Sequence, residues 1–202
     1  MKWNKLADSA AIEKTVKALE ANGVKVIVVE RGEEAKQKVL ALIGKGTTVM
    51  TATSRTTQQI GLDSAIDESS DFESLRKQIM ALPQSEQRTQ MRRINSAPDY
   101  VLGSVHAVTE NGKIVIVSNS GSQLAPYAFS AAHVIWVVGT QKIVKNLDEA
   151  MKRIEEYTFK LEDERLMQAY GMHSAIRKLL VVNSEVMPER ITMILVKENL
   201  GF

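Results

Sequence analysis

Short runs dominated by β-branched and other apolar residues recur along this chain: Val24-Lys25-Val26-Ile27-Val28-Val29, Thr47 to Ala52, Lys113-Ile114-Val115-Ile116-Val117 and His133-Val134-Ile135-Trp136-Val137-Val138-Gly139. In the first and last of these, few positions are left for water. That pattern predicts strands buried on both faces, as in parallel sheets. Between the first two runs, Ala35, Val39, Leu42 and Ile43 repeat at helical spacing, and Gly44 and Gly46 end the segment. Strand, helix, strand is the order of a right-handed crossover between parallel strands, so the expected fold class is α/β with an open sheet.

The rest of the chain fills in that frame. Ile12, Val16 and Leu19 mark a first helix that stops at Asn22-Gly23. Phe72 to Leu82 and Ser85 to Ile94 read as helices separated by Pro83. Tyr100 to Gly103 and Val105 to Val108 read as extended, and Asn111-Gly112 before Lys113 has the pattern of a two-residue hairpin turn, which makes the sheet mixed. Ser122 is placed to cap a helix running to Ala132, and Asn146 with Glu149 to form a reciprocal cap. Leu147, Ala150, Met151, Ile154 and Leu161 give the stripe of a long helix ending near Tyr170. Leu179 to Asn183 and Ile191 to Val196 follow as closing strands. With no repeat, linker or low-complexity tract, residues 1–202 are expected to form a single domain.

Composition excludes several functions. Lys and Arg number 26 and Asp and Glu 24, a net charge of +2, too small to argue for nucleic acid or an anionic membrane, so any bound anion must be held locally. Arg88, Arg92 and Arg93 form a basic helical edge without aromatic interleaving, which reads as a solvated face. Zero cysteines exclude disulfides, thiolate nucleophiles and cysteine-ligated zinc or iron–sulfur sites in this chain. His106, His133 and His173 are widely spaced and lack a helical pair, so no metal site is expected and structural or surface roles are assigned to all three. The nine methionines read as core filler. Neither a signal peptide nor a membrane span is read, and a soluble cytoplasmic protein is the expectation.

Three segments carry a family resemblance by order and spacing: Gly103-Ser104-Val105-His106-Ala107-Val108-Thr109-Glu110-Asn111-Gly112, then Ser118-Asn119-Ser120-Gly121-Ser122-Gln123, then Val137-Val138-Gly139-Thr140-Gln141-Lys142-Ile143-Val144. This arrangement resembles the lactate-utilization (LUD) family from about Thr47 to Asn183. The resemblance implies the fold shared by glucosamine-6-phosphate deaminase, ribose-5-phosphate isomerase and CoA-transferases: three layers, α/β/α, about an open, mostly parallel, mixed sheet. It also implies a context, bacterial oxidation of lactate beside iron–sulfur partner proteins. Fold does not carry function with it.

Candidate site residues lie where strands of such a sheet end. Ser54, Arg55, Thr56 and Thr57 follow the strand Thr47 to Ala52, and hydroxyls, an arginine and helix N-terminal amides there could surround a phosphate or carboxylate. They look like the small-residue phosphate loop of the isomerase relatives. The plain alternative is that Ser54 caps a helix and Arg55 faces solvent. Asn119, Ser120, Gly121 and Ser122 could cradle an anion through their amides, or form an ordinary solvated turn. Lys142 could add positive charge at the same edge, although a lysine after a strand is commonly exposed. Glu110, in Glu110-Asn111-Gly112, resembles the motif whose glutamate forms the thioester in one class of CoA-transferases, while Asn-Gly is equally a preferred hairpin turn. Those transferases combine two such domains, which a homo-oligomer of this chain could supply.

The leading expectation is therefore a small anionic metabolite, such as a hydroxy or keto acid or a phosphorylated compound, bound at the sheet edge. The rivals are a non-catalytic assembly or regulatory subunit for iron–sulfur proteins, and acyl or CoA transfer through Glu110. No cofactor is identified, since flavin and nicotinamide fingerprints are both missing.

Overall fold

The computed structural model describes residues 2–202, while Met1 and the side chains of Arg88 and Tyr170 lie outside the described residues. Of the expected basic edge, Arg92 and Arg93 are described, and both are exposed. In chain order the first elements are α1 (Ser9–Ala21), β1 (Lys25–Val29), α2 (Gly32–Leu42), β2 (Thr48–Thr51), α3 (Arg55–Gln59) and α4 (Leu62–Glu68). The middle holds β3 (Glu73–Ser74), α5 (Leu75–Met80), α6 (Gln84–Ile94), β4 (Tyr100–Gly103), β5 (Ala107–Thr109) and β6 (Ile114–Ser118). The last elements are β7 (His133–Gly139), β8 (Ile143–Val144), α7 (Leu147–Arg153), α8 (Phe159–Tyr170), β9 (Lys178–Val182) and β10 (Ile191–Val196).

Six strands form one sheet in the order β1-β10-β7-β4-β2-β3, with every neighbouring pair parallel. Successive side chains of a strand point to opposite faces, and the cores follow that alternation. Val134, Trp136 and Val138 of β7 join one core with Met193 and Leu195 of β10, while Ile135 and Val137 join the other with Ile194 and Val196. Ala35 and Val39 of α2 and Leu62 and Ile66 of α4 cover the second face. The first face is covered by Leu19 of α1, Leu75 of α5 and a second sheet, through Val108, Ile114 and Ile116. That second sheet has the order β8-β5-β6-β9. Its outer face, Ala107, Val115 and Val117, packs on Ala150 of α7 and Ile154.

Several expectations change. The antiparallel pairings do not mix into the main sheet: β6 pairs antiparallel with β5 and β9 in the second sheet. β1 is not buried on both faces; it is an edge strand with β10 as its one neighbour among the described strands, and Val28 is 39% exposed. The hairpin is not a two-residue turn. Val108 pairs with Ile114, Gly112 donates to the Thr109 carbonyl at 2.8 Å, and Gly112 at φ +80° takes the left-handed position alone, which makes a three-residue loop with a glycine bulge. Ser122 does not cap a helix; helical turns begin at Leu124 and pass into a π-helical segment, Pro126–Ser130, closed by Ala131 N–H on the Pro126 carbonyl at 3.3 Å. Phe72 does not start a helix, because Glu73 and Ser74 pair with β2 before α5 begins. The long helix forms from Leu147 to Tyr170, with a π-helical segment, Ile154–Thr158, between α7 and α8. Asn146 caps it at Glu149 N–H, 3.0 Å, and Glu149 returns to the amide of Lys145 at 3.1 Å.

Chain routing places a crevice in the main sheet. The connection leaving β2 crosses the α2/α4 face, whereas the connection leaving β4 enters the opposite core through Val105 and Val108. Because β2 and β4 are neighbours, their carboxyl ends part, and ligands of open α/β sheets sit at such a point.

Candidate functional site

A cavity of about 750 Å³ opens at that crevice. The ends of β2 and β4 bring Thr51 to Thr56, Ser104, Val105 and His106 to it, and Lys142 arrives from the turn after β7. The turn after β6 contributes Ser118, Asn119, Ser120, Ser122 and Gln123, so the two hydroxyl-rich segments border one space. Arg76, Glu162 and Arg165 add charge to the walls, and Ile79, Met80, Phe159, Leu166 and Ile176 make an apolar side.

Lys142 is 2% exposed. Its Nζ donates to Thr56 Oγ1 at 3.0 Å and to Ser104 Oγ at 3.1 Å, and no carboxylate lies within ion-pair distance among the described residues. Burial, reinforced by the neighbouring Arg153 guanidinium, holds its ammonium well below the ordinary lysine range, because neither hydroxyl offsets the loss of water around a charge. Thr56, 1% exposed, donates in turn to the Leu200 carbonyl at 3.3 Å. Gly103 owes its identity to a close approach: a Cβ there would lie 1.9 Å from the Tyr127 hydroxyl.

Other candidates fall differently. Ser54 does cap α3, accepting from Thr57 N–H at 3.4 Å, and lines the cavity as well. Arg55 is exposed along the cavity with its Nη1 on Gln58 Oε1 at 3.3 Å. Thr57 turns away from it, its hydroxyl on the Ser54 carbonyl at 3.1 Å. In the second segment the amides of Gly121 and Ser122 are already taken by the hydroxyls of Ser118 and Ser120, at 2.8 and 3.3 Å. Gly121 is not among the lining residues, and Asn119 Oδ1 accepts from Arg177 Nε at 2.8 Å. Glu110 stands apart from the cavity, in the hairpin loop, with its carboxylate 2.8 Å from Lys14 Nζ.

Residues that sequence reasoning did not place in the site also line it. His106 Nδ1 accepts from Val117 N–H at 3.2 Å, which leaves Nε2 to carry the proton. Burial, then the charges of Lys142 and Arg153, push this imidazole down to about 3, so it is neutral at ordinary pH. His106 and Ser104 belong to the quoted motif Gly103 to Gly112, which was the available signal. For Arg76 and Arg165 no local signal exists. Arg165 is held bidentate by Glu162 at 2.7 Å, and Arg76 sits 3.7 Å from Asp63. His133 stacks on Tyr100 with centroids 4.8 Å apart, and His173 meets Asp163 at 3.0 Å on the surface.

Taken together, these features define a parallel α/β fold with a cavity at the carboxyl edge of its sheet, where hydroxyls and basic side chains face an apolar wall. The chain belongs to the LUD domain family, whose model matches residues 12–196. It is similar to the crystal structure of a DUF162 family protein from Deinococcus radiodurans, with a TM-score of 0.58 at 14% identity over 95% of this chain and 99% of that one. It also matches eIF2B beta from Chaetomium thermophilum, with a TM-score of 0.37 and 15% identity over 57% of this chain and 43% of that one. No curated protein matches the chain significantly. Among the described residues, no helix is long and apolar enough to cross a membrane.

Proposed function

We propose that this LUD-family protein binds a small anionic metabolite, a 2-hydroxy or 2-oxo acid or a phosphorylated compound, in the cavity bordered by Ser54 to Thr56 and Ser118 to Gln123. The observation that carries the reading is Lys142, a buried amine at the cavity that bonds two hydroxyls and has no carboxylate within ion-pair distance among the described residues. Protonating this buried amine is costly without a counter-charge, and an anion beside it offsets that cost, so the site favours a negatively charged occupant. Arg55, which makes no ion pair among the described residues, supplies a second positive group. The family's link to lactate oxidation supports hydroxy and keto acids and a role beside iron–sulfur partners. The volume, about 750 Å³, falls within the roughly 300–1,000 Å³ of ligand pockets and accommodates acids larger than lactate.

Thermal unfolding with lactate, pyruvate, inorganic phosphate and ribose 5-phosphate tests the reading. A ligand at a hundred times its Kd adds about 2.7 kcal/mol and should raise the Tm of a domain this size by roughly 5–10 °C. Lys142→Met should abolish the shift. If none of the four anions moves the Tm, or the variant responds as the wild type does, the reading is wrong; co-purification with cysteine-rich proteins would then support an assembly subunit.

A further inference from the structure

We infer that Lys142 is a nucleophile that forms an imine with the carbonyl carbon of a 2-oxo acid bound in this cavity. This rests on the anionic-ligand reading above and adds a chemical role to it.

The geometry around Nζ carries the inference. A neutral amine has two N–H bonds and one lone pair, whereas an ammonium has three donors and none. Nζ meets two acceptors, Thr56 Oγ1 at 3.0 Å and Ser104 Oγ at 3.1 Å, and no carboxylate lies within ion-pair distance of it among the described residues. Two acceptors match the neutral form, and the lone pair is left over. The neighbouring charge is positive: Arg153 is fully buried, with one nitrogen on the His106 carbonyl at 2.7 Å and Thr158 Oγ1 at 2.9 Å, and its Nε and other terminal nitrogen without partners among the described residues. A desolvated lysine beside another cation is the usual way proteins make an amine nucleophilic at neutral pH, and the depressed basicity of Lys142 agrees. His106, neutral and on the same wall, adds no charge that would compete for the ligand.

In the reaction, the Nζ lone pair attacks the carbonyl carbon as the C=O π pair moves onto oxygen. One proton passes from nitrogen to that oxygen, for which the Thr56 and Ser104 hydroxyls in contact with Nζ offer a relay. A second proton transfer lets the oxygen leave as water, and the nitrogen lone pair completes the C=N bond. Ketone and amine give imine and water, with no oxidant or reductant required. Cationic Arg55 suits the carboxylate of the same acid, and Ile79, Met80, Phe159 and Leu166 suit an apolar side chain.

The test is reductive trapping. The protein is incubated at about pH 7.4 with pyruvate, 2-oxoglutarate or phenylpyruvate and sodium cyanoborohydride, followed by intact mass and peptide mapping. An exposed lysine is unprotonated in roughly one molecule in a thousand at that pH, so Lys142 should carry at least roughly ten-fold more adduct than any surface lysine. Lactate, which has no carbonyl, should bind and give no adduct. Lys142→Met should lose the specific adduct while its circular dichroism stays native. Label spread over surface lysines by exposure, or no adduct with any of the three acids, overturns the imine. If the acids still raise the Tm in that case, the binding reading stands alone; if they do not, both fall together.

Discussion

Arg190 and Lys142 are both buried basic side chains, 5% and 2% exposed, at opposite edges of the same sheet. Arg190 precedes β10 at the amino edge. Its guanidinium meets Glu185 at 2.7 Å and the carbonyls of Ala131, Pro126 and Tyr127 at 2.9 to 3.2 Å, closing the end of a π-helical segment. Asp99, at the same edge, takes both the amide and the hydroxyl of Thr48, at 2.8 and 2.7 Å. Lys142 follows β7 at the carboxyl edge and has two hydroxyls. At the same edge, Thr51 Oγ1, Thr140 Oγ1 and Gln141 Oε1 are buried without partners among the described residues. The Arg190 guanidinium is saturated by an anion and three carbonyls and serves stability, whereas Lys142 has hydroxyls alone and faces a cavity, as a binding group must.

The largest expected effect lies at Arg190. Arg190→Met leaves Glu185, 11% exposed in its side chain, without its cation, and should cost about 3–5 kcal/mol in urea denaturation, whereas Lys142→Met should stay within about 1 kcal/mol of wild type. Similar losses for both would erase the distinction between the two edges.

A smaller effect separates the edges by pH. His106 titrates at about 3 in the folded chain and near 6.5 unfolded, so between those values the unfolded state binds a proton that the folded state refuses. Stability should fall as pH drops through that window, by up to about 1.4 kcal/mol per pH unit, and His106→Asn should flatten the slope. Glu185 behaves differently. Burial raises it, but the Met187 amide and Arg190 prevail and hold it below 4.5, so its contribution is complete above 4.5 and is lost only as pH falls below that value. Denaturation midpoints between pH 6.5 and 4.5 that do not change on replacing His106 would contradict the assignment.

The smallest effect concerns a group outside both regions. Glu110→Gln removes an ion pair that is exposed on its Lys14 side, and should cost about 0.2–1 kcal/mol without altering any anion-induced Tm shift. Loss of that shift would bring Glu110 into the site after all.

What could be read in the sequence follows from what period and composition encode. β7 and β10 are long apolar runs, and both hydroxyl-rich turns stand beside such runs, so their positions were legible. The second sheet was not. The β5–β6 hairpin was read, but β8 spans two residues, too short for a period of two to show, and the pairings of β5 with β8 and of β6 with β9 join segments distant in the chain. Nor were the π-helical segments legible, since a change from i+4 to i+5 bonding leaves an apolar stripe nearly intact. Lys142 was visible as a charge beside a strand, but its burial depends on Thr56, Ser104 and Leu200, which only the folded chain brings near. Arg76 and Arg165 depend on the same long-range assembly.

The position of β10 has a consequence for how the molecule is made. Lys25 to Val29 pair in register with Thr192 through Val196, so β1 keeps an unpaired strand edge until a segment more than a hundred residues further along the chain reaches it. Assembly must therefore close over a very long stretch of chain, and slow refolding with aggregation seeded at Val26 to Val29 is the kinetic price of that threading.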